Sequence, residues 1–140
     1  TAAGDLSPQL FEKYLAPFLQ RLSKKFSGKL GYYSKNTGPD HLDKLWGQAE
    51  FAGYGYDHRW DLTHCFDKSS GFTQGNFYQT LLFLPENEFE MMFREYLKPL
   101  QKLTPEQRLG WVCGLGHGVL PKTPNENVRR FVKVVREVFA

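Results

Sequence analysis

Cysteine is scarce in this chain. Its two cysteines, Cys65 and Cys113, cannot make a disulfide framework, and one of them lies in a segment that reads as a buried strand, which fits a reducing compartment. Long hydrophobic runs are missing too: none approaches the ~20 residues of a membrane-spanning helix, and the opening residues show no secretory leader pattern. Charge of one sign is in short supply, since 18 Lys and Arg against 15 Asp and Glu leave a net charge of +3. Much of that surplus falls on Arg129, Arg130, Lys133 and Arg136, which read as the solvated face of a helix rather than as a nucleic-acid patch. Linkers, low-complexity tracts and obvious repeats are absent. What remains is a chain of 140 residues with 41% hydrophobic and 16% aromatic content, enough for one compact cytoplasmic domain with a real core.

Helix and strand signals alternate along it. Ser7 and Pro8 start a helix with Phe11, Leu15, Phe18, Leu19, Leu22 and Phe26 at helical spacing, and Pro17 is expected to kink it. Gly28 ends that helix and residues 29–34 read as a strand. Asp40 is expected to cap a short helix through Leu42, Leu45 and Trp46, with His41 beside it in a structural role. Residues 51–56 give a second strand weakened by glycine, and residues 57–70 a polar stretch with one or two helical turns. Residues 72–75 give a third strand, and residues 85–100 a long helix with Phe89, Phe93, Leu97 and Leu100 inward. The apolar run of residues 109–113 reads as a fourth strand. A last helix follows, with Thr123 as cap, Pro124 at the first position, Glu126 bonding back to Thr123, and an apolar stripe of Val128, Phe131, Val132, Val135 and Val138. Four short strands alternating with helices predict an α/β fold, a parallel sheet with crossover helices.

Chemistry in such folds collects in the loops after the strands. Those loops open at Ser34-Lys35-Asn36, Asp57-His58-Arg59, Gln74-Gly75-Asn76 and Gly116-His117-Gly118, and all are polar. Polar strand ends are common whatever the function, but the run Gly114-Leu115-Gly116-His117-Gly118 sets one imidazole among glycines ahead of a helix. Glycine lets backbone amides approach a ligand closely and a helix N-terminus favours negative charge, so an anionic ligand is expected at His117. A dinucleotide loop fits badly, because Pro121 and Thr123 postpone the helix and the sequence has no acidic residue on a following strand. A metal site built from His58, His64, Cys65, Cys113 and His117 lacks C-x-x-C or H-E-x-x-H spacing, so no metal or other cofactor is expected.

In order along the chain come Thr1-Ala2-Ala3-Gly4, Leu6-Ser7-Pro8-Gln9-Leu10-Phe11, Tyr33-Ser34-Lys35, Gly55-Tyr56-Asp57, Gln74-Gly75-Asn76, residues 114–121 and residues 123–128. With these motifs the chain resembles the C-terminal part of the uroporphyrinogen decarboxylase family over essentially its whole length. The resemblance implies one segment, residues 1–140, forming the C-terminal half of a (β/α)8 TIM barrel. It implies cofactor-free removal of the carboxyl groups of four acetate side chains of uroporphyrinogen, giving coproporphyrinogen, with a protonated pyrrole taking up the electrons as carbon dioxide leaves. His117 matches the family's substrate-contacting histidine, and Thr1 matches a Ser or Thr that also faces substrate. The family's carboxylate-binding arginines, essential aspartate and tyrosine belong to its earlier half, and Asp57 sits in a different motif. Two departures stand out: His58 replaces a family tryptophan, and Phe77-Tyr78-Gln79 replaces Leu or Met, Asp and Pro.

These features predict that the 140 residues are part of a longer chain, or a half that pairs with the missing N-terminal half or with a second copy as a homodimer. The isolated chain is then expected to be inactive, supplying only half of an active site. The alternative is a non-catalytic half-barrel fragment or a porphyrin-binding or interaction module. The corrinoid-linked methyltransferases of the same barrel family use a His-x-Cys zinc pair, and Tyr32-Tyr33-Ser34-Lys35 has neither ligand at the matching place.

Overall fold

A computed structural model describes residues 3–68 and 71–140. Its single sheet runs β1 (Gly31–Tyr33), β2 (Gly53–Gly55), β3 (Phe72–Phe77) and β4 (Trp111–Leu115) in chain order, all parallel. The helices are α1 (Pro8–Leu10), α2 (Ala16–Lys25), α3 (Pro39–Leu42), α4 (Glu86–Gln101) and α5 (Asn125–Phe139). Sequential parallel strands with helices between them give an α/β architecture with the topology of half a (β/α)8 barrel. The crossover from β2 to β3 holds the 3₁₀ turn Leu62–His64 among the described residues, in keeping with the one or two helical turns expected there.

The core lies between the sheet and the pair α4 and α5. Phe89, Phe93, Leu97 and Leu100 of α4 are all buried, as their spacing predicts. Phe93 sits at the centre of an aromatic cluster, with ring centroids 4.3 Å from Phe131, 4.8 Å from Phe77 and 5.9 Å from Phe89. Such offset and edge contacts add to area burial. Across the outer side of the α4–α5 seam, Glu90 holds both Arg94 and Arg130, and Arg94 also reaches Glu137. Part of the basic surplus therefore ties two helices together instead of standing free in water.

The first helix is irregular where Pro17 is expected to kink it: the Ala16 amide reaches back to the Phe11 carbonyl, and a π-helical turn, Phe11–Leu15, separates α1 from α2. Two local expectations are corrected. Asp40 is not the cap of α3, which opens from Gly38 with Pro39 at its first position. His41 does act structurally, accepting from the Gly38 amide at Nδ1 (3.2 Å) while Nε2 meets the Leu6 carbonyl (3.0 Å). At α5, Thr123 turns its hydroxyl to the Leu120 carbonyl (2.7 Å) and caps nothing, so the capping box with Glu126 does not form. Of the predicted stripe of that helix, Val128, Phe131, Val135 and Val138 pack against the core and Val132 is exposed, while Asn127 and Val134 are its fully buried residues.

The two faces of the sheet differ. Tyr54, Thr73 and Phe77 point toward the helices and are buried. Through the register, the other face carries Gly31, Gly53 and Phe72 in one row and Tyr33, Gly55, Gln74 and Val112 in the next. A Cβ on Gly31 or Gly53 would lie 2.6 or 2.5 Å from the Phe72 ring, so the glycines that weaken these strands in the sequence make room for that ring. This face is glycine-rich and concave rather than uniformly hydrophobic as expected of a buried parallel sheet.

Candidate functional site

All four strands or their following loops contribute to a groove of about 510 Å³, lined by Tyr33, Gly55, Tyr56, Gln74, Leu115, His117, Gly118 and Val119. Three of these strands deliver their last residues to it, Tyr33 from β1, Gly55 from β2 and Leu115 from β4. Gln74 comes from within β3, on the face shared by Gly55 and Gly114, whose missing side chains leave it space. His117 is exposed on the loop after β4. That is where the sequence places it, but α5 starts only at Asn125 and contributes nothing to the groove's lining.

Most polar residues of the strand-end loops build the scaffold beneath. Asp57, buried to 2% exposure, accepts from the Asn36 amide (2.8 Å), from the Arg59 amide (3.1 Å) and from two nitrogens of the Arg59 guanidinium. Burial opposes its ionisation, but the guanidinium and the two amides outweigh that and hold its pKa below the ordinary carboxylate value. Asn76 is buried and donates to the carbonyls of Asp57 (2.8 Å) and Trp60 (2.7 Å). Tyr96 receives the Asn76 amide and donates to the Gly75 carbonyl (2.9 Å). Asp57, Asn36 and Asn76 thus lock three loops together, which the sequence could not separate from ligand binding.

Gly116 ties the fourth loop to this scaffold. Its amide donates to the Phe77 carbonyl (2.7 Å), and its carbonyl receives the Tyr33 hydroxyl (2.8 Å) across 83 positions of sequence. A Cβ there would lie 2.5 Å from the His58 backbone nitrogen, so only glycine fits. Burial and the nearby Asp57 raise the Tyr33 pKa while Arg59 opposes them, and the phenol stays a neutral donor at physiological pH. Beside this contact the rings of His58 and Tyr78 stack with centroids 3.9 Å apart.

A second pocket of about 540 Å³ lies between the loops after β1 and β2, with Trp46, Arg59, Trp60, His64, Cys65 and Lys68 in its wall. Its charged groups are engaged within the chain, Arg59 by Asp57, His64 by Asp61 and Lys68 by Asp67, and the Trp60 indole donates to the Thr37 carbonyl, while the buried Trp46 indole nitrogen has no hydrogen-bond partner among the described residues. The histidines and cysteines weighed as metal ligands are not gathered, and no group of three or more His, Cys, Asp or Glu suited to a metal occurs among the described residues. Both cysteine thiols are pushed up to about 12, chiefly by burial, which leaves neither as a thiolate nucleophile. Thr1 lies outside the described residues. Tyr33 is a groove residue that sequence reading missed, whereas Gln74 opens one of the polar loops it named; the alternating glycines Gly53 and Gly55 of β2 were the available signal for which face stands open.

The profile of the family described as uroporphyrinogen decarboxylase (URO-D) matches residues 1–138. A uroporphyrinogen decarboxylase of Thermus thermophilus is 29% identical over 143 aligned residues, covering 98% of this chain and 39% of the relative. That of Chlamydia muridarum is 40% identical over 68 residues, 49% of this chain and 19% of the relative. That of Solibacter usitatus is 42% identical over 64 residues, 46% of this chain and 17% of the relative. The chain therefore spans about two-fifths of the length of the Thermus relative. No helix among the described residues is long and apolar enough to cross a membrane. With the profile matching residues 1–138 of 140 and a parallel α/β sheet beneath, the chain belongs to the uroporphyrinogen decarboxylase family.

Proposed function

We propose that this chain takes part in the decarboxylation of uroporphyrinogen to coproporphyrinogen, contributing the C-terminal half of the site. The observation that carries the proposal is the groove at the strand ends with His117 on its rim, in a chain of this family. Each turnover breaks the bond between an acetate methylene and its carboxyl group. Carbon dioxide leaves, the electron pair passes into a protonated pyrrole, a proton delivered to the methylene carbon completes a methyl group, and loss of the ring proton restores the neutral pyrrole. No cofactor enters that balance. His117 binds a carboxylate or pyrrole group by hydrogen bond or charge, and Thr1 is its substrate-facing companion. The single segment of residues 1–140 works with an N-terminal half of the barrel and in a homodimer, in the cytoplasm. Pairing along the outer strands β1 and β4 would remove the exposed sheet edges that otherwise invite association.

The test is an anaerobic incubation with uroporphyrinogen, with products oxidised and separated by chromatography. The 140 residues alone are expected to retain substrate without converting it. Adding the N-terminal half of the Thermus thermophilus relative is expected to yield coproporphyrinogen, and His117→Ala to abolish that gain. Failure of the chain to retain uroporphyrinogen under either condition contradicts the proposal.

A further inference from the structure

The loop that carries His117 divides sharply into a pinned residue and a free span. Gly116 is buried and held at three points: its amide by the Phe77 carbonyl, its carbonyl by the Tyr33 hydroxyl, and its Cα against the Asp57–His58 peptide. His117, Gly118 and Val119 are exposed, and all three line the groove. The direction in which the chain leaves Gly116 sets where the imidazole stands. Of the three restraints, two come from main chain that any sequence would offer in this register. The third is a side chain, and it reaches in from the far edge strand of the sheet, β1, across the groove itself.

We infer that Tyr33 is a positioning residue: its hydroxyl latches the Gly116 carbonyl and thereby fixes His117 over the groove. The inference deepens the proposed function, on which its ligand-binding consequence rests, but the latch itself is a property of the fold. A hydroxyl donor is required for it, because phenylalanine would keep the same groove wall and leave the Gly116 carbonyl without that partner. Because the latch spans β1 to β4, it also couples the two outer strands through the site that lies between them.

Two measurements on Tyr33→Phe test this, and the variant keeps the ring, so the core is preserved. By native-state hydrogen exchange, the buried amide of Gly116, bonded to the Phe77 carbonyl, is expected to exchange about five- to tenfold faster, the loss of one hydrogen bond from the same peptide segment, while those of Phe93 and Leu97 in α4 stay unchanged. Unchanged exchange at Gly116, or equal acceleration in α4, overturns the latch. The second measurement is the affinity for uroporphyrin, the stable oxidised porphyrin, by fluorescence titration in a double-mutant cycle with His117→Ala. Tyr33→Phe is expected to weaken binding about fivefold when His117 is present and not at all when it is alanine, consistent with one hydrogen bond acting through the imidazole. An equal loss in both backgrounds overturns the positioning role. If the unaltered chain does not bind uroporphyrin, the functional proposal falls, and the exchange measurement still decides the latch.

Discussion

Replacing Asp57 with asparagine removes the charge that joins the loops after β1 and β2. The carboxylate accepts four hydrogen bonds, two from amides and two from the Arg59 guanidinium. Asparagine keeps one acceptor oxygen and turns an NH₂ group toward donors that have nowhere else to go. Two charge-assisted bonds lost at about 1.5–3 kcal/mol each set the upper range. The Arg59 side chain is 49% exposed and rehydrates, so the expected loss is about 2–4 kcal/mol. With a urea dependence of about 1–3 kcal/mol per molar, the unfolding midpoint should fall by about 1–2 M near neutral pH with an unchanged slope. The pH dependence has a definite sign. A carboxyl whose folded pKa lies below its unfolded value contributes stability above the unfolded pKa, and loses it as pH falls through the folded pKa. The deficit of Asp57→Asn should therefore be constant above about pH 5 and shrink below about pH 4. A midpoint unaffected at neutral pH, or a deficit that does not shrink in acid, refutes the reasoning.

Three further outcomes are expected. Asn127→Ala removes two donors from the buried carbonyls of Leu82 and Leu84, and calorimetry should register a loss of about 2–3 kcal/mol. Gly116→Ala places a methyl 2.5 Å from the His58 nitrogen, so amide shifts should move at His58 and His117 while the α4 core keeps its spectrum. Cys65 and Cys113, with thiols pushed up to about 12, should react slowly with a disulfide reagent at about pH 8 in the folded chain and rapidly once it is unfolded in urea.

Much of the fold was legible because burial imposes a period. The α4 positions Phe89, Phe93, Leu97 and Leu100 follow helical spacing and all are buried, and the four strands appear in the predicted order. Local signals failed where tertiary contacts competed with them. Thr123 looked like a cap, yet its hydroxyl found the Leu120 carbonyl in the preceding turn. Val132 fits the stripe of α5 by composition, but the helix seats Asn127 and Val134 because Asn127 satisfies two carbonyls of the β3–α4 connection. His117 was legible as a site from its glycine flanks. Tyr33 was not, since its facing depends on sheet register and on which side the helices leave open. Asp57 and Asn76 read equally well as ligand groups or as scaffold, and only their hydrogen-bond partners make them scaffold.

The central claim is that the groove at the strand ends, rather than the larger pocket beside Trp46 and Trp60, receives the porphyrin. Titrating the isotopically labelled chain with uroporphyrin and following backbone amide shifts tests this directly. The account predicts that the shifts concentrate at Tyr33, Gly55, Gln74 and His117 to Val119. Shifts concentrated at Trp46, Trp60 and Lys68, or none at saturating ligand, would contradict it.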